Sequence, residues 1–202
     1  MFTGIVEELG EVVAKEELAD AARFTVRGPV VTSDASHGDS IAVNGGVPDR
    51  RRGAGRRLLH RRRHAGDAEP VELAEDRRGQ PRQPRAGRCL NSRLGGHLVQ
   101  GHVDGTGHII SRSPSENWEV VRIALPDAIS RYVVEKGSIT VDGVSLTVSA
   151  LGGERGEEYF EISLIPTTLQ LTTLGAASVG TPVNLEVDVI AKYVERLQAA
   201  GR

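Results

Sequence analysis

The sequence has little cysteine, few aromatic residues and no long apolar run. Cys89 is the only cysteine among 202 residues, which excludes an intrachain disulfide and fits a reducing compartment. No apolar run reaches the roughly 18 residues that a transmembrane helix needs, and residues 1–8 have neither the basic nor the apolar region of a signal peptide. A cytoplasmic protein with no membrane partner is therefore expected.

The chain also has no large excess of positive or negative charge, since it contains 25 lysines and arginines and 27 acidic residues. Aromatic residues make up only 3% of the chain, whereas surfaces that bind single-stranded nucleic acid interleave aromatic with basic side chains. The composition as a whole therefore gives no indication of a nucleic-acid partner. The 24 glycines indicate many turns and hence short strands.

Residues 46–90 differ in composition from everything around them. They hold thirteen arginines and no lysine against six acidic residues, so this segment carries +7 and the rest of the chain −9. Isoleucine, phenylalanine, tyrosine and tryptophan are absent from it, and its apolar residues follow neither the period of a strand nor that of a helix. A segment of this kind cannot build a core, and its composition predicts disorder.

Outside that segment, apolar and polar residues alternate in short runs that predict half-buried antiparallel strands. Such runs occupy residues 119–125, 159–165 and 182–189. Asp142-Gly143 separates two further runs and is a strong hairpin signal. The end of the chain has helical spacing instead, with an apolar stripe. This stripe consists of Val189, Ile190, Tyr193, Val194 and Leu197.

The chain repeats itself with a period of about 97 residues. Residues 2–7, FTGIVE, align with residues 99–104, VQGHVD, and residues 40–45, SIAVNG, align with residues 138–143, SITVDG. Two matches at nearly the same offset indicate two copies of one β unit. The similarity stops at Gly45, where the second copy continues as VSLTV and the first as a charged run.

A shift of reading frame explains why the repeat stops. Arginine-rich, lysine-free runs arise when GC-rich DNA is read out of frame, because CGN codons become common. Pro48-Asp49-Arg50-Arg51 can be encoded so that a one-base shift gives Leu-Thr-Val, the sequence of residues 146–148. Gln83-Pro84-Arg85-Ala86 can likewise give Asn-Leu-Glu, the sequence of residues 184–186. The alternatives are a natural disordered insert and an arginine-rich nucleic-acid arm.

Several motifs outside the segment resemble those of riboflavin synthases, and the resemblance covers residues 1–45 and 91–198. These motifs are MFTGIVE at 1–7, GGHLVQGHVD at 95–104, KGS at 136–138, DGVSLTV at 142–148, LIPTT at 164–168, TTLG at 172–175 and VNLEVD at 183–188. The resemblance implies an all-β fold of two tandem Greek-key six-stranded barrels plus a C-terminal α-helix, with the N-terminal barrel disrupted at about 46–90.

The resemblance also implies the division of the chain and its reaction. A first lumazine-binding barrel would span 1–96, a second 97–188, and a helix that contributes to a homotrimer 189–202. Members of the family convert two molecules of 6,7-dimethyl-8-ribityllumazine into riboflavin and 5-amino-6-ribitylaminouracil by transfer of a four-carbon unit, without cofactor or metal. Their site lies between the N-terminal barrel of one subunit and the C-terminal barrel of its neighbour.

The family's pattern implies which residues meet the substrate. We expect proton transfer from His102, because an imidazole titrates near neutral pH, with Ser145 and Asp188 orienting or relaying the proton. The expected substrate-binding residues are Phe2, Thr3, Gly4, Ile5, Val6 and Ser40 in the first half and Gly101, Val103, Lys136, Thr147 and Thr168 in the second.

Each of these residues also has a plainer interpretation. Ser145 and Thr147 alternate on a strand and can be ordinary β-formers, Lys136 can be a solvated turn residue, and Asp188 can be a helix cap. Gly4 and Gly101 can be bulge glycines. The spacing of the four possible metal ligands fits no common zinc signature, so no metal site is expected. Those four are His97, His102, Asp104 and His108.

The first half departs from the family where ligand contacts are expected. The strand after Asn44-Gly45 should carry a cysteine and a threonine, and a Glu-Thr pair should follow further on; none of these stands there. With residues 46–90 in place, the activity is expected to be very weak or absent. The alternative function is a non-catalytic lumazine- or flavin-binding protein of the same fold, and a third possibility is a generic β-barrel interaction module.

Overall fold

β-strands dominate the described part of the chain, and one longer helix follows them. The computed structural model describes residues 2–17, 21–33, 39–47, 50–51, 58–62, 81–82, 84–86 and 94–201. The strands of the first half are β1 (Gly10–Glu17), β2 (Ala21–Arg27), β3 (Ile41–Val43), β4 (Arg50–Arg51), β5 (Leu58–Arg62), β6 (Pro81–Arg82) and β7 (Pro84–Ala86). Those of the second half are β8 (Gly105–Pro114), β9 (Glu119–Ala124), β10 (Ser138–Val141), β11 (Val144–Gly152), β12 (Tyr159–Leu164) and β13 (Pro182–Val187). The helices are α1 (Asp127–Ser130), α2 (Pro166–Leu171) and α3 (Val189–Ala200), with a 3₁₀ turn at Thr173–Gly175.

The second half is a closed antiparallel barrel, in agreement with the alternating pattern of its strands. Its strand order is β10-β11-β12-β9-β8-β13, so β12 pairs both with its sequence neighbour β11 and with the distant β9, as in a Greek key. One face of each strand fills the interior, where Ile109, Ile123, Ile139 and Phe160 are fully buried. The predicted hairpin is confirmed, because Val141 pairs with Val144 around the Asp142-Gly143 turn.

The first half repeats this strand order. Its two sheets follow β4-β5-β2-β1-β6 and β3-β7, and β6 and β7 together take the place of β13 between β1 and β3. Val43 and Gly46 form an antiparallel bridge around Asn44-Gly45, as Val141 and Val144 do around their turn. Within the described residues this bridge is all that corresponds to the β10–β11 ladder. The repeat read from the sequence is therefore also a repeat of topology.

The disorder predicted for residues 46–90 differs in part from the structure. Short strands occur there at β4, β5, β6 and β7. Of these, β5, β6 and β7 pair with β2, β1 and β3, and β4 pairs with β5. Strand pairing uses main-chain N–H and C=O groups, which every residue except proline offers, so it does not require the apolar side chains that the segment lacks. The other residues of the segment after Val47 lie outside those that the structure describes, and disorder stays a prediction for them.

The two halves meet at their matching turns. Both turns have left-handed backbone, with φ of 48° and 80° at Asn44 and Gly45 and 48° and 84° at Asp142 and Gly143. A Cβ on Gly45 would lie 2.9 Å from the main-chain nitrogen of Gly143, and a Cβ on Gly143 would lie 2.7 Å from that of Gly45. Glycine is therefore needed in both turns for this close approach. Asn184 Nδ2 donates to the Asn44 carbonyl oxygen at 3.0 Å across the same contact.

Helix α3 lies on the second barrel by its polar side. Lys192 is hydrogen-bonded to Asp104, and Glu195 accepts from the Tyr132 hydroxyl at 2.5 Å and pairs with Arg131 at 3.0 Å. The apolar stripe faces away, and four of its side chains are between 48% and 71% exposed. They are Ile190 (54% exposed), Tyr193 (66%), Val194 (48%) and Leu197 (71%). No helix among the described residues is long and apolar enough to cross a membrane.

Candidate functional site

The first segment of each half, residues 2–6 or 99–103, lies against the residues that follow the glycine turn of the other half. The Ser145 N–H donates to the Gly4 carbonyl oxygen at 2.7 Å, and the Val47 N–H donates to the Gly101 carbonyl oxygen at 3.2 Å. Gly4 matches Gly101 in the repeat, and Val47 follows its turn as Ser145 does. Phe2 and Val99, also matched, exchange two main-chain hydrogen bonds of 2.7 and 3.0 Å. These paired contacts bring the predicted site residues of the two halves together.

This contact leaves room only for glycine at position 4. Its φ is +78°, and a Cβ there would lie 2.1 Å from the Ser145 Cβ. Any other residue would displace Ser145 or the first segment. Beside it, the side chain of Thr3 is buried, and among the described residues its hydroxyl has no hydrogen-bond partner. A buried hydroxyl without a hydrogen-bond partner is uncommon in folded proteins.

A hydrogen-bonded chain runs from Ser145 into the interface between the halves. Ser145 Oγ lies 2.7 Å from His97 Nδ1, and His97 Nε2 lies 3.1 Å from Thr140 Oγ1. Burial lowers the pKa of His97, against a smaller opposing effect of the Asp188 carboxylate. A neutral imidazole donates from one ring nitrogen and accepts at the other. His97 Nδ1 can therefore accept a hydrogen bond from the Ser145 hydroxyl or donate one to it, depending on the tautomer.

A buried carboxylate holds the segment that carries His102. Glu186 accepts from the N–H groups of Gln100 at 2.6 Å, Gly101 at 2.9 Å and His102 at 3.0 Å. Burial raises the pKa of Glu186 to about 7, the three hydrogen bonds lower it, and the charge of Asp104 raises it further. Glu186, a residue of β13, therefore fixes the main chain of residues 100–102.

Comparison with known proteins decides the family. The lumazine binding domain family matches residues 100–188. Riboflavin synthase of Mycobacterium tuberculosis (strain H37Rv) is 59% identical over 209 residues, which cover 100% of this chain and 100% of the relative. The chain belongs to the riboflavin synthase family. Riboflavin synthases of Actinobacillus pleuropneumoniae and Bacillus subtilis are 37% and 34% identical, each over 97% of this chain and 89% of the relative.

A solved structure has the same fold. LumP complexed with 6,7-dimethyl-8-(1'-D-ribityl) lumazine superposes with a TM-score of 0.78, at 19% identity, over 93% of this chain and 99% of that chain. At this identity the likeness concerns the fold alone. It extends over nearly the whole chain, including the first half.

The three residues expected to act in catalysis lie in different settings. The His102 side chain is exposed and its main chain is held by Glu186. Ser145 is bonded to His97. The Asp188 side chain accepts from the Ile190 N–H at 2.9 Å and caps α3, as the plainer interpretation has it. Within the described part of the chain, no side-chain hydrogen bond joins His102 to either of the other two.

The expected substrate-binding residues differ in burial and in surroundings. Phe2 is buried with Ala42 and Val99, whereas Ile5 is exposed and Val6 packs on the second barrel. Lys136 has left-handed backbone, with φ of 63°, and its Nζ donates to the Ser149 carbonyl oxygen at 3.4 Å. Their contact with substrate stays a prediction in each case. The others are Ser40 and Thr147, which are exposed, Gly101, which is buried, and Val103 and Thr168, which are half-buried.

Three polar residues of this region were not predicted from the sequence. The sequence offers His97 only as one of four possible metal ligands, and Thr140 and Glu186 only as parts of motifs. The alternation of residues 182–189 places Glu186 on the polar face of the predicted strand, so no local signal marks it, whereas in the structure residues 183–187 of β13 are all buried. His97 and Thr140 give no local signal either, because their contact joins segments 43 residues apart.

Proposed function

We propose that this chain is a riboflavin synthase, which converts two molecules of 6,7-dimethyl-8-ribityllumazine into riboflavin and 5-amino-6-ribitylaminouracil. The observation that carries the proposal is the 59% identity to a riboflavin synthase over the full length of both chains. The matched family region, residues 100–188, contains the second barrel. The protein needs no cofactor for this reaction, because the substrate's own acidic methyl group supplies the carbanion.

The duplication suits a reaction between two identical molecules. Two copies of one substrate require two similar pockets, and the strand order of the first half repeats that of the second. Holding both molecules in register turns an encounter in solution into a local step. The hydroxyls around Thr3, Ser145 and Thr140 suit a ribityl chain, which offers several donors and acceptors.

In this proposal His102 moves the proton at the reacting carbon, and Ser145 orients or relays that proton. His97 keeps the Ser145 hydroxyl oriented through their 2.7 Å contact. Asp188 contributes its charge near His97, which favours a protonated imidazole. Asp188 also fixes the start of α3, so its replacement would affect the helix as well.

We propose further that the chain assembles as a homotrimer through α3 and resides in the cytoplasm. The helix turns its charged side to its own barrel and its apolar stripe outward, the reverse of what an isolated surface helix does. An apolar stripe with exposures of 48% to 71% is stabilised when another copy covers it. Assembly would bring the exposed His102 of one chain toward a neighbouring subunit.

The second candidate function is a lumazine or flavin carrier that does not turn its ligand over. One observation favours it: Arg85 pairs with Ala42 in the register at which Glu186 pairs with Thr140. The carboxylate that fixes the ligand segment of the second half thus has an arginine as its counterpart in the first. A protein with one well-formed pocket would bind a single ligand and lack the second reactant.

We interpret residues 46–90 as read in a shifted frame, and strand register supports this. The one-base shift converts residues 83–85 into Asn-Leu-Glu, which places a glutamate at position 85. That is the position whose partner, Ala42, corresponds to the partner of Glu186. The nucleotide sequence of the gene, or the intact mass of the native protein, tests this. A gene that encodes residues 46–90 as written, in the same reading frame as the flanking residues, would refute it.

Incubation with 6,7-dimethyl-8-ribityllumazine separates the two functions. Appearance of riboflavin, detected by its absorption and fluorescence, supports the synthase. Binding of the lumazine with an unchanged spectrum over many hours supports the carrier and contradicts the synthase. Heat-denatured protein is the control for uncatalysed conversion.

A further inference from the structure

Glu186 occupies a position where a carboxylate is costly. Its side chain is 4% exposed in the middle of β13, and the carboxylate of Asp104 lies close enough to disfavour its charge. Lys192 is bonded to Asp104 and offsets part of that charge, and the exposed His102 is the other titratable side chain on the segment above it. A group placed at such cost points to a role beyond packing.

The three hydrogen bonds of Glu186 converge on one short segment. They come from consecutive N–H groups at residues 100, 101 and 102, with donor–acceptor distances of 2.6, 2.9 and 3.0 Å. Both carboxylate oxygens are used, so the segment is fixed in position and in rotation. The carbonyl of Gly101, on the same segment, accepts from Val47 of the first half. Glu186 therefore sets where His102 leaves the main chain relative to both halves.

We propose that Glu186 is a positioning residue of the reaction, whose buried carboxylate holds the main chain of residues 100–102 so that the His102 side chain reaches the substrate. The inference rests on the proposed function. Glu186 itself does not touch the reacting atoms. A carboxylate is suited to this task because it accepts several N–H donors at once, whereas a glutamine at the same place would point its amide N–H₂ at one of them.

The test compares Glu186→Gln and Glu186→Asp with a matched control, Glu116→Gln, which changes an exposed glutamate in the loop between β8 and β9. For Glu186→Gln we expect kcat to fall by roughly 10- to 100-fold, because small displacements of a reacting group have effects of this size. KM should change less than about threefold, since the groups that bind the substrate remain. The kcat of Glu186→Asp, which keeps the charge on a shorter side chain, should lie between that of the wild type and that of Glu186→Gln.

A second readout does not depend on turnover. Hydrogen exchange of the amides at residues 100–102 should be accelerated at least about tenfold in Glu186→Gln, with the β9 and β12 amides unchanged, while riboflavin, used as a probe ligand, still binds. An unchanged kcat, or a loss of kcat with faster exchange throughout the barrel, would overturn the inference. Should the glutamine variant fail to fold, the aspartate variant decides by the same readouts.

The two failures are distinguishable. A wild-type protein that forms no riboflavin disproves the synthase. Unchanged exchange at residues 100–102 in Glu186→Gln disproves the positioning role in either case.

Discussion

At the residue scale, the second half contains two buried ionisable groups with opposite shifts. Burial lowers the pKa of His97, so its imidazole is held neutral, and burial raises the pKa of Glu186 to about 7. In both cases the charged form is disfavoured because water is excluded. The exposed His102 stands on the segment that Glu186 holds, through a hydrogen bond between residues 84 positions apart in the chain.

His102→Ala should slow turnover more than it weakens binding. General acid–base catalysis contributes roughly 10²–10⁴-fold, whereas the exposed ring contributes little binding surface. We therefore expect a large fall in kcat with a small change in the dissociation constant of riboflavin. His108→Ala, which removes an exposed histidine from β8, should leave both unchanged. Equal losses in rate and affinity would show that His102 only holds the ligand.

Glu186→Gln should also change how stability depends on pH. The pKa of Glu186 is about 7 in the folded protein against the ordinary 4.5 of a glutamate in the unfolded chain, so between these values the unfolded chain has released its proton and the folded protein has not. Wild-type stability therefore falls relative to the variant as pH rises from about 4.5 to 7, by at most roughly 3 kcal/mol. Urea unfolding at a series of pH values measures the difference. A difference that stays constant across this window would contradict the shift.

At the element scale, α3 exposes an apolar stripe that nothing in its own chain covers among the described residues. Its polar residues bind the barrel while Tyr193 and Leu197 point outward. Leu197→Asp should therefore dissociate the assembly without unfolding the barrel, because this side chain has few contacts within its own chain. Sedimentation velocity should show trimer for wild type and monomer for the variant. Ala199→Asp, which places the same charge away from the stripe, should remain trimeric.

A trimer that survives Leu197→Asp would contradict the role given to the stripe. A wild-type protein that sediments as a monomer would contradict the assembly itself.

Elements differed in how far the sequence could predict them. The Asp142-Gly143 hairpin and α3 follow from local signals, a turn dipeptide and a helical apolar stripe, and both are present. The strands β4 to β7 could not be predicted, because their pairing rests on main-chain groups and on partners elsewhere in the chain. The contacts of His97 and Glu186 were missed because they join residues 43 to 86 positions apart.

At the scale of the whole molecule, the two halves form one unit through matched contacts. The Asn44-Gly45 turn contacts the Asp142-Gly143 turn. The carbonyl oxygens of Gly4 and Gly101 accept hydrogen bonds from Ser145 and Val47 of the opposite half, and Phe2 pairs with Val99. The repeat in sequence thus becomes an approximate two-fold relation in space. A reaction that consumes two copies of one molecule is what this arrangement accommodates best.

The most direct test of this account is the stoichiometry of conversion. When the protein is incubated with 6,7-dimethyl-8-ribityllumazine and all flavin and lumazine species are quantified by chromatography, the account predicts two lumazine molecules consumed for each riboflavin formed. Lumazine that stays bound and chemically unchanged, with no riboflavin produced, would contradict it.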